Sequence, residues 1–228
     1  YERLLDAIER KNRKITLAEP RSRYDLGGGA VMTILGPLVE EPEGLNDTSV
    51  ICRLDFGSTS FLFTGDAEKP NENALLKAYD SSLLRADVLK LGHHGSSTSN
   101  QEKAVDPQVA VAELGKDNTY GHPHTEVVRL LEERDILLYR TDLNGTIVFG
   151  SNGETLQVTC EGTSVFGSDR ETLQIICERA QKIDAYLWTD RSCPALRIDI
   201  PTAIFYTKIN RGAACPNLRE RMIFYVYS

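Results

Sequence analysis

Two apolar runs of strand type, SFLFTGD at 60–66 and ADVLKLGHH at 86–94, each stop on a glycine that is followed at once by side chains able to bind metals or move protons. Runs this short and this apolar, closed by a glycine, read as strands buried on both faces. They deliver Asp66 and the pair His93 and His94 to chain reversals. Helical periodicity separates such runs: ENALLKAY predicts a helix over about 71–80, and HPHTEVVRLLEERD predicts another, with Thr125 as its N-cap and Glu126 in its first turn, where a negative charge is favourable.

The remaining pattern fills in around these. A helix is expected over 2–13, a short strand near 15–18, and a glycine turn at YDLGGG leading into a strand at 30–35 that Pro37 ends. Strands at 49–55 and 59–64 form a hairpin across Gly57 and Ser58. Further strands fall at 86–91, 109–113 and ILLYRTD, a short helix at 100–104, and a hairpin at GTIVFGSNGETLQVTCE. Helices alternate with strands but hairpins intrude, which defines an α/β chain with a mixed sheet.

A duplication sets the boundary. VFGSNGETLQVTCE at 148–161 recurs as VFGSDRETLQIICE at 165–178, and CPALR at 193–197 is echoed by CPNLR at 215–219. Two domains are read from this: 1–162, and a small β-rich extension over 163–228.

Charge and cysteines narrow the class. The net charge is −7, all of it carried by residues 1–150, while residues 179–228 hold 8 basic and 4 acidic groups. A nucleic-acid partner gains nothing from overall charge and little from the tail. No apolar run reaches membrane-spanning length, and the charged, amphipathic opening YERLLDAIERKNRK is unlike a signal peptide. That opening, without a methionine, reads as a piece of a longer protein. Among five cysteines there is no CxxC; Cys52 is expected to be a buried free thiol, and Cys193 with Cys215 a disulfide, metal ligands or plain thiols.

The chemistry gathers in two loops. All four histidines fall either at His93 and His94 or at His122 and His124, the latter just before a helix N-terminus, where phosphate binds readily. On an extended segment His93 and His94 would point in opposite directions, one to a site and one behind it. Ser96 and Ser97 offer amides and hydroxyls to an anion, and Lys90 is placed to neutralise a phosphate oxygen or, in the ordinary reading, to sit at a sheet edge. An aspartate with histidines suits zinc, or manganese where carboxylates dominate. A carboxylate bridging two such ions would generate hydroxide for in-line attack on a phosphodiester.

The segments NDTSVICRLDFGSTSFLFTGDAE, ADVLKLGHHGSSTS, NTYGHPHTEVVRLL and LYRTDLNGTI together resemble the second half of the metallo-β-lactamase-fold hydrolase domain of ComEC-type DNA-uptake proteins and their free-standing relatives, from about Leu4 to Val158. The resemblance implies an αββα sandwich with the second half present, the first half missing, and two divalent metal ions, zinc or manganese. It implies Asp66 as the bridging carboxylate and one of His93 and His94 as a ligand of the second metal. Asn46 and Asp47 occupy a place where relatives carry a ligand, and Asn118, Tyr120, Gly121, His122 and Pro123 map onto the family's NxYGHP segment at the rim. The HxHxDH motif that supplies most of the first metal's ligands is absent from these 228 residues.

The functional expectation is a metal-dependent hydrolase, a phosphodiesterase or nuclease acting on DNA, with Asp66, His122 and Lys90 as catalytic groups, Asp66, His93 and His94 as metal ligands, and Asn46, Ser96, Ser97, Asn118 and Tyr120 against substrate. A hydrolase of a smaller ester or lactam is the runner-up, and a catalytically incomplete fold that binds DNA or a partner is the reading from a different class. DNA, a membrane channel and a place outside the cytoplasm are the partners and location that the resemblance implies. A half-sandwich with an open inner face would also pair with a second copy.

Overall fold

The computed structural model describes residues 2–100 and 105–160, together with the backbone of four strands at 173–175, 195–200, 203–208 and 221–226. After helix α1 (Glu2–Arg10) comes a seven-stranded sheet in simple sequence order: β1 (Arg23–Gly27), β2 (Ala30–Gly36), β3 (Ile51–Phe56), β4 (Thr59–Phe63), β5 (Val88–Lys90), β6 (Val109–Ala112) and β7 (Leu137–Arg140). The first four pair antiparallel, and β4 through β7 run parallel. Parallel neighbours need crossovers. These contain α2 (Lys69–Ala78) and the one-turn α3 (Ser81–Leu84) after β4, and α4 (Thr125–Glu133) after β6.

Period-two alternation explains how the sheet is covered on both sides. Phe61 and Phe63, Val88, Val109 and Val111, and Leu137 and Tyr139 point into one core, while Leu62, Leu89, Ala110, Ala112 and Leu138 point into the other. The second core is closed by α2 and α4 through Leu75, Val127 and Leu131. The first is closed by a second sheet, since Ile147, Phe149, Leu156 and Val158 belong to it and Phe149 meets Phe61 edge to face at 6.0 Å. The described residues thus make three layers, helix, sheet and sheet, a mixed α/β arrangement consistent with the metallo-β-lactamase sandwich.

A short turn of helix, α5 (Thr141–Asn144), leads from β7 to the second sheet, whose members are β8 (Ile147–Ser151), β9 (Leu156–Cys160), β10 (Leu173–Ile175), β11 (Ala195–Ile200), β12 (Ala203–Lys208) and β13 (Arg221–Val226). Their order across the sheet is β10-β9-β8-β13-β12-β11, so one sheet draws strands from both sides of position 162. Among the described residues no helix is long and apolar enough to cross a membrane.

Several local expectations are corrected. Residues 15–18 form no strand: Ile15 and Leu17 lie exposed, and among the described residues the edge strand is β1, which turns through Gly28 and Gly29 into β2. Helix α1 ends at Arg10, where Asn12 turns left-handed with φ of 48°. Thr125 is the first helical residue rather than the cap, a position that His124 fills without a capping side-chain bond. Lys90 is no edge lysine, because β5 is flanked by β4 and β6. The helix expected at 100–104 falls largely outside the described residues, as do the second copy of the repeat, for the most part, and Cys177, Cys193 and Cys215.

Candidate functional site

The parallel strands share one direction, so their C-terminal ends open onto a common rim, the usual place for a ligand in a parallel sheet. Thr64, Gly65 and Asp66 leave β4 there, Leu91 to His94 leave β5, and Glu113 follows β6. Each turn is fixed by backbone chemistry. Gly65 has φ of +56°, and a Cβ on it would lie 2.8 Å from the Cβ of Ser49, whose hydroxyl accepts the Asp66 amide at 3.0 Å. Only glycine fits that place.

The histidine pair departs from the extended geometry expected of it. His93 (φ 44°, ψ 51°) and His94 (φ 56°, ψ 20°) are both left-handed, inside a tight turn from Gly92 to Gly95. Consecutive left-handed residues bend the chain rather than alternate across it, so both rings stay on the rim, 6.2 Å apart between centroids. Asn100 clamps this turn: its Oδ1 accepts the Gly92 amide, and its Nδ2 donates to the carbonyls of Gly92 and Ser96. Such a conformation in non-glycine residues is costly and calls for this kind of support.

Hydrogen bonding distinguishes the histidines from one another. His94 Nδ1 lies 2.7 Å from the carbonyl of Glu113, which can only accept, so His94 carries its proton on Nδ1. Its Nε2 lies 3.5 Å from Asp66 Oδ1. His93 Nδ1 lies 3.0 Å from Glu68 Oε1, a carboxylate–imidazole pair of the kind that orients metal-binding histidines. Burial works against the Glu68 carboxylate, but hydrogen bonds with Thr98, Asn46 and His93 hold its pKa below the ordinary value. His124 has the opposite tautomer, since its Nδ1 accepts the Ser97 amide at 3.0 Å. His122 sits among the other three, with centroids 5.5 Å from His93, 6.3 Å from His94 and 4.7 Å from His124. Burial and then those neighbouring imidazoles push its pKa down.

Lys90 is 4% exposed and lies under the rim. Its ammonium donates to the carbonyls of Gly65 and Leu91 and stands 3.9 Å from Asp66 and 3.8 Å from Glu113. Burial pulls its pKa down, opposed by Glu113 and Asp66. So placed, it ties together the ends of β4, β5 and β6. The Ser96 and Ser97 hydroxyls are likewise engaged within the protein, Ser96 with Thr98 and Ser97 with His124 Nδ1. Asn46 Nδ2 donates to Glu68 Oε1, while the buried Asp47 accepts the Glu68 amide and an Asn71 N–H at the start of α2. Asn118 and Tyr120 stand on the loop that carries His122.

Asp66 with His94 therefore brings an oxygen and a nitrogen donor together, since Glu113 engages the His94 Nδ1 and leaves Nε2 as the atom that faces the carboxylate. Among the described residues no group of three or more histidines, cysteines or carboxylates is arranged to hold one. The donor chemistry fits a metal, and the described donor set alone does not enclose it. Sequence reading found Asp66 and the histidines but missed Glu68, Glu113 and Asn100. Spacing gives no sign of them, because they act across loops.

Comparison with known proteins agrees with this architecture. Residues 4–113 match the model of the metallo-beta-lactamase superfamily. Among curated proteins the chain is similar to ComE operon protein 3 of Bacillus subtilis, 38% identical over 119 residues that make up 51% of this chain and 15% of that protein. It is 37% identical to competence protein ComA of Neisseria gonorrhoeae over 136 residues, 58% of this chain and 19% of that one. With recombination protein 2 of Haemophilus influenzae it shares 34% over 122 residues, 52% of this chain and 15% of the relative. The chain thus spans less than a fifth of the length of these relatives.

Proposed function

We propose that this chain is part of a metal-dependent hydrolase that cleaves phosphodiester bonds of DNA in a DNA-uptake setting. The observation that carries this reading is the Asp66 and His94 pair, a carboxylate oxygen and an imidazole Nε2 that face each other at 3.5 Å. The likeness to competence proteins supports DNA as the substrate. On this reading Asp66 and His94 hold a divalent ion, zinc or manganese, with further donors, and His93 serves the same centre through its pairing with Glu68. A bound ion of that kind supplies Lewis acidity and a water of lowered pKa. The chain's own residues do the rest: Lys90 fixes the carboxylate-bearing turn from beneath, the Glu113 carbonyl holds the His94 tautomer, and His122, kept neutral, faces the substrate side. A membrane channel as partner and a place outside the cytoplasm follow from the same DNA-uptake setting.

A second reading, a binding module without catalysis, is favoured by the lack of a three-donor group among the described residues. One experiment separates the two. Metal content per chain and cleavage of single-stranded circular DNA with manganese or zinc are measured for the protein and for Asp66→Ala. Bound metal and cleavage, both lost in the variant, are expected. DNA binding with neither metal nor cleavage would replace the hydrolase with the binding module.

A further inference from the structure

We infer that Tyr120 is a stacking platform for an unpaired nucleobase, so that the substrate is taken as a single strand or a frayed end; this rests on the phosphodiester reading above. Tyr120 is 81% exposed, so a face of its ring is open to an unstacked base. It is not a loose side chain on a loose loop. Asn118 Oδ1 accepts the Tyr120 amide at 3.0 Å, Asn118 Nδ2 donates to the His122 carbonyl at 2.6 Å, and the Asn118 amide is itself bonded to Gly115. One asparagine thus pins the backbone on both sides of the ring, and the left-handed Gly121 (φ +74°) makes the bend between.

The ring is also aligned with the site. Tyr120 lies nearly parallel to His122, 16° between planes and 5.9 Å between centroids, and His122 is nearly parallel to His94, at 18° and 6.3 Å. Three flat groups therefore lead from solvent to the His94 and Asp66 pair. A base laid on Tyr120 would be held in this orientation while its phosphate reaches the histidines. Paired bases inside a duplex cannot present a face in this way, whereas every unstacked base can. The net charge of −7 strengthens the point, because a chain with this balance cannot rely on a general positive field to hold nucleic acid and needs a local, uncharged contact.

The test is binding, not cleavage. The affinity of the full 228-residue chain, of Tyr120→Trp and of Tyr120→Ala is measured by fluorescence anisotropy for an oligothymidylate and for an abasic strand of equal length and charge, with manganese and with chelator. The protein and the tryptophan variant are expected to prefer the base-bearing strand, and the alanine variant to lose that preference by about 5- to 150-fold while binding the abasic strand unchanged. If the unaltered protein binds both strands equally well, or if Tyr120→Ala keeps the preference, the stacking role is overturned and the phosphodiester reading survives. If the unaltered protein binds neither strand, both fall together.

Discussion

His124 Nδ1 accepts the backbone amide of Ser97 at 3.0 Å, which keys the loop before α4 to the loop after β5. The Ser97 hydroxyl reaches the same nitrogen at 2.9 Å, and the His124 amide returns a bond to the Gly95 carbonyl. Three hydrogen bonds therefore tie the two histidine loops together. His124→Phe leaves the Ser97 amide without its acceptor and is expected to destabilise the fold by about 1–3 kcal/mol. Urea unfolding measures this, and hydrogen exchange at the Ser97 amide should quicken with it. An unchanged midpoint would mean that water replaces the ring without loss.

The two adjacent histidines should separate by metal affinity. On the proposed reading His94→Ala removes a donor and is expected to abolish tight binding of manganese or zinc, as Asp66→Ala does. His93→Ala leaves the Asp66 and His94 pair in place and is expected to weaken binding by about 10- to 100-fold without abolishing it, the range for groups that support a metal site from outside its principal donors. Titration calorimetry with each ion reads the ranking. A tighter requirement for His93 than for His94 would reverse the assignment.

Two glycines at the rim should tolerate no side chain. At Gly95, φ is +86° and a Cβ would stand 2.6 Å from the Cβ of Pro123, while at Gly65 the obstacle is Ser49 at 2.8 Å. Gly29→Ala is the control, with a similar φ of +84° and nothing within 4 Å. The control is expected to lose about 1–2 kcal/mol from the left-handed backbone alone. Gly95→Ala and Gly65→Ala should lose clearly more, read as a larger fall in melting temperature.

Cys52 should be silent to thiol reagents in the folded protein. It lies in the sheet-to-sheet core, 2% exposed and free, and burial pushes its thiol up to about 12 from 9.0. A raised thiol pKa favours folding fully below the unfolded value, and the advantage is lost as pH rises from about 9 toward 12. Maleimide labelling at neutral pH should therefore miss Cys52 until urea is added, and Cys52→Ser should flatten part of the alkaline loss of stability. Fast native labelling would contradict the packing described.

Much of this was legible from residues alone. SFLFTGD and ADVLKLGHH announce their strands because runs of Phe, Leu and Val that stop on glycine have few other uses, and the two loops that hold all four histidines follow from them. Less could be read where a feature depends on contacts across the chain. Nothing local shows that His93 and His94 turn left-handed, since the support comes from Asn100 and from the Gly65 carbonyl, which accepts the His93 amide at 3.2 Å. Lys90 looks in sequence like a lysine aimed at substrate. Its burial between Asp66 and Glu113 depends on β4 and β6 lying on either side, which only the assembled sheet decides. The strand missed at 23–27 is polar and pairs along one edge alone, so it left no apolar signature.

The second sheet runs without a break across position 162, with β13 paired to β8 through partners such as Phe224 and Phe149. A fragment trimmed at the repeat would keep every rim residue named above. It would also leave Ile147–Ser151, in the middle of that sheet, with a bare row of amides and carbonyls on one side. Such an edge recruits any strand that meets it, most readily another copy of the same fragment. Shortened versions of this chain would then be lost to self-association before their chemistry could be assayed, and an inactive fragment would say nothing about Asp66 or His94.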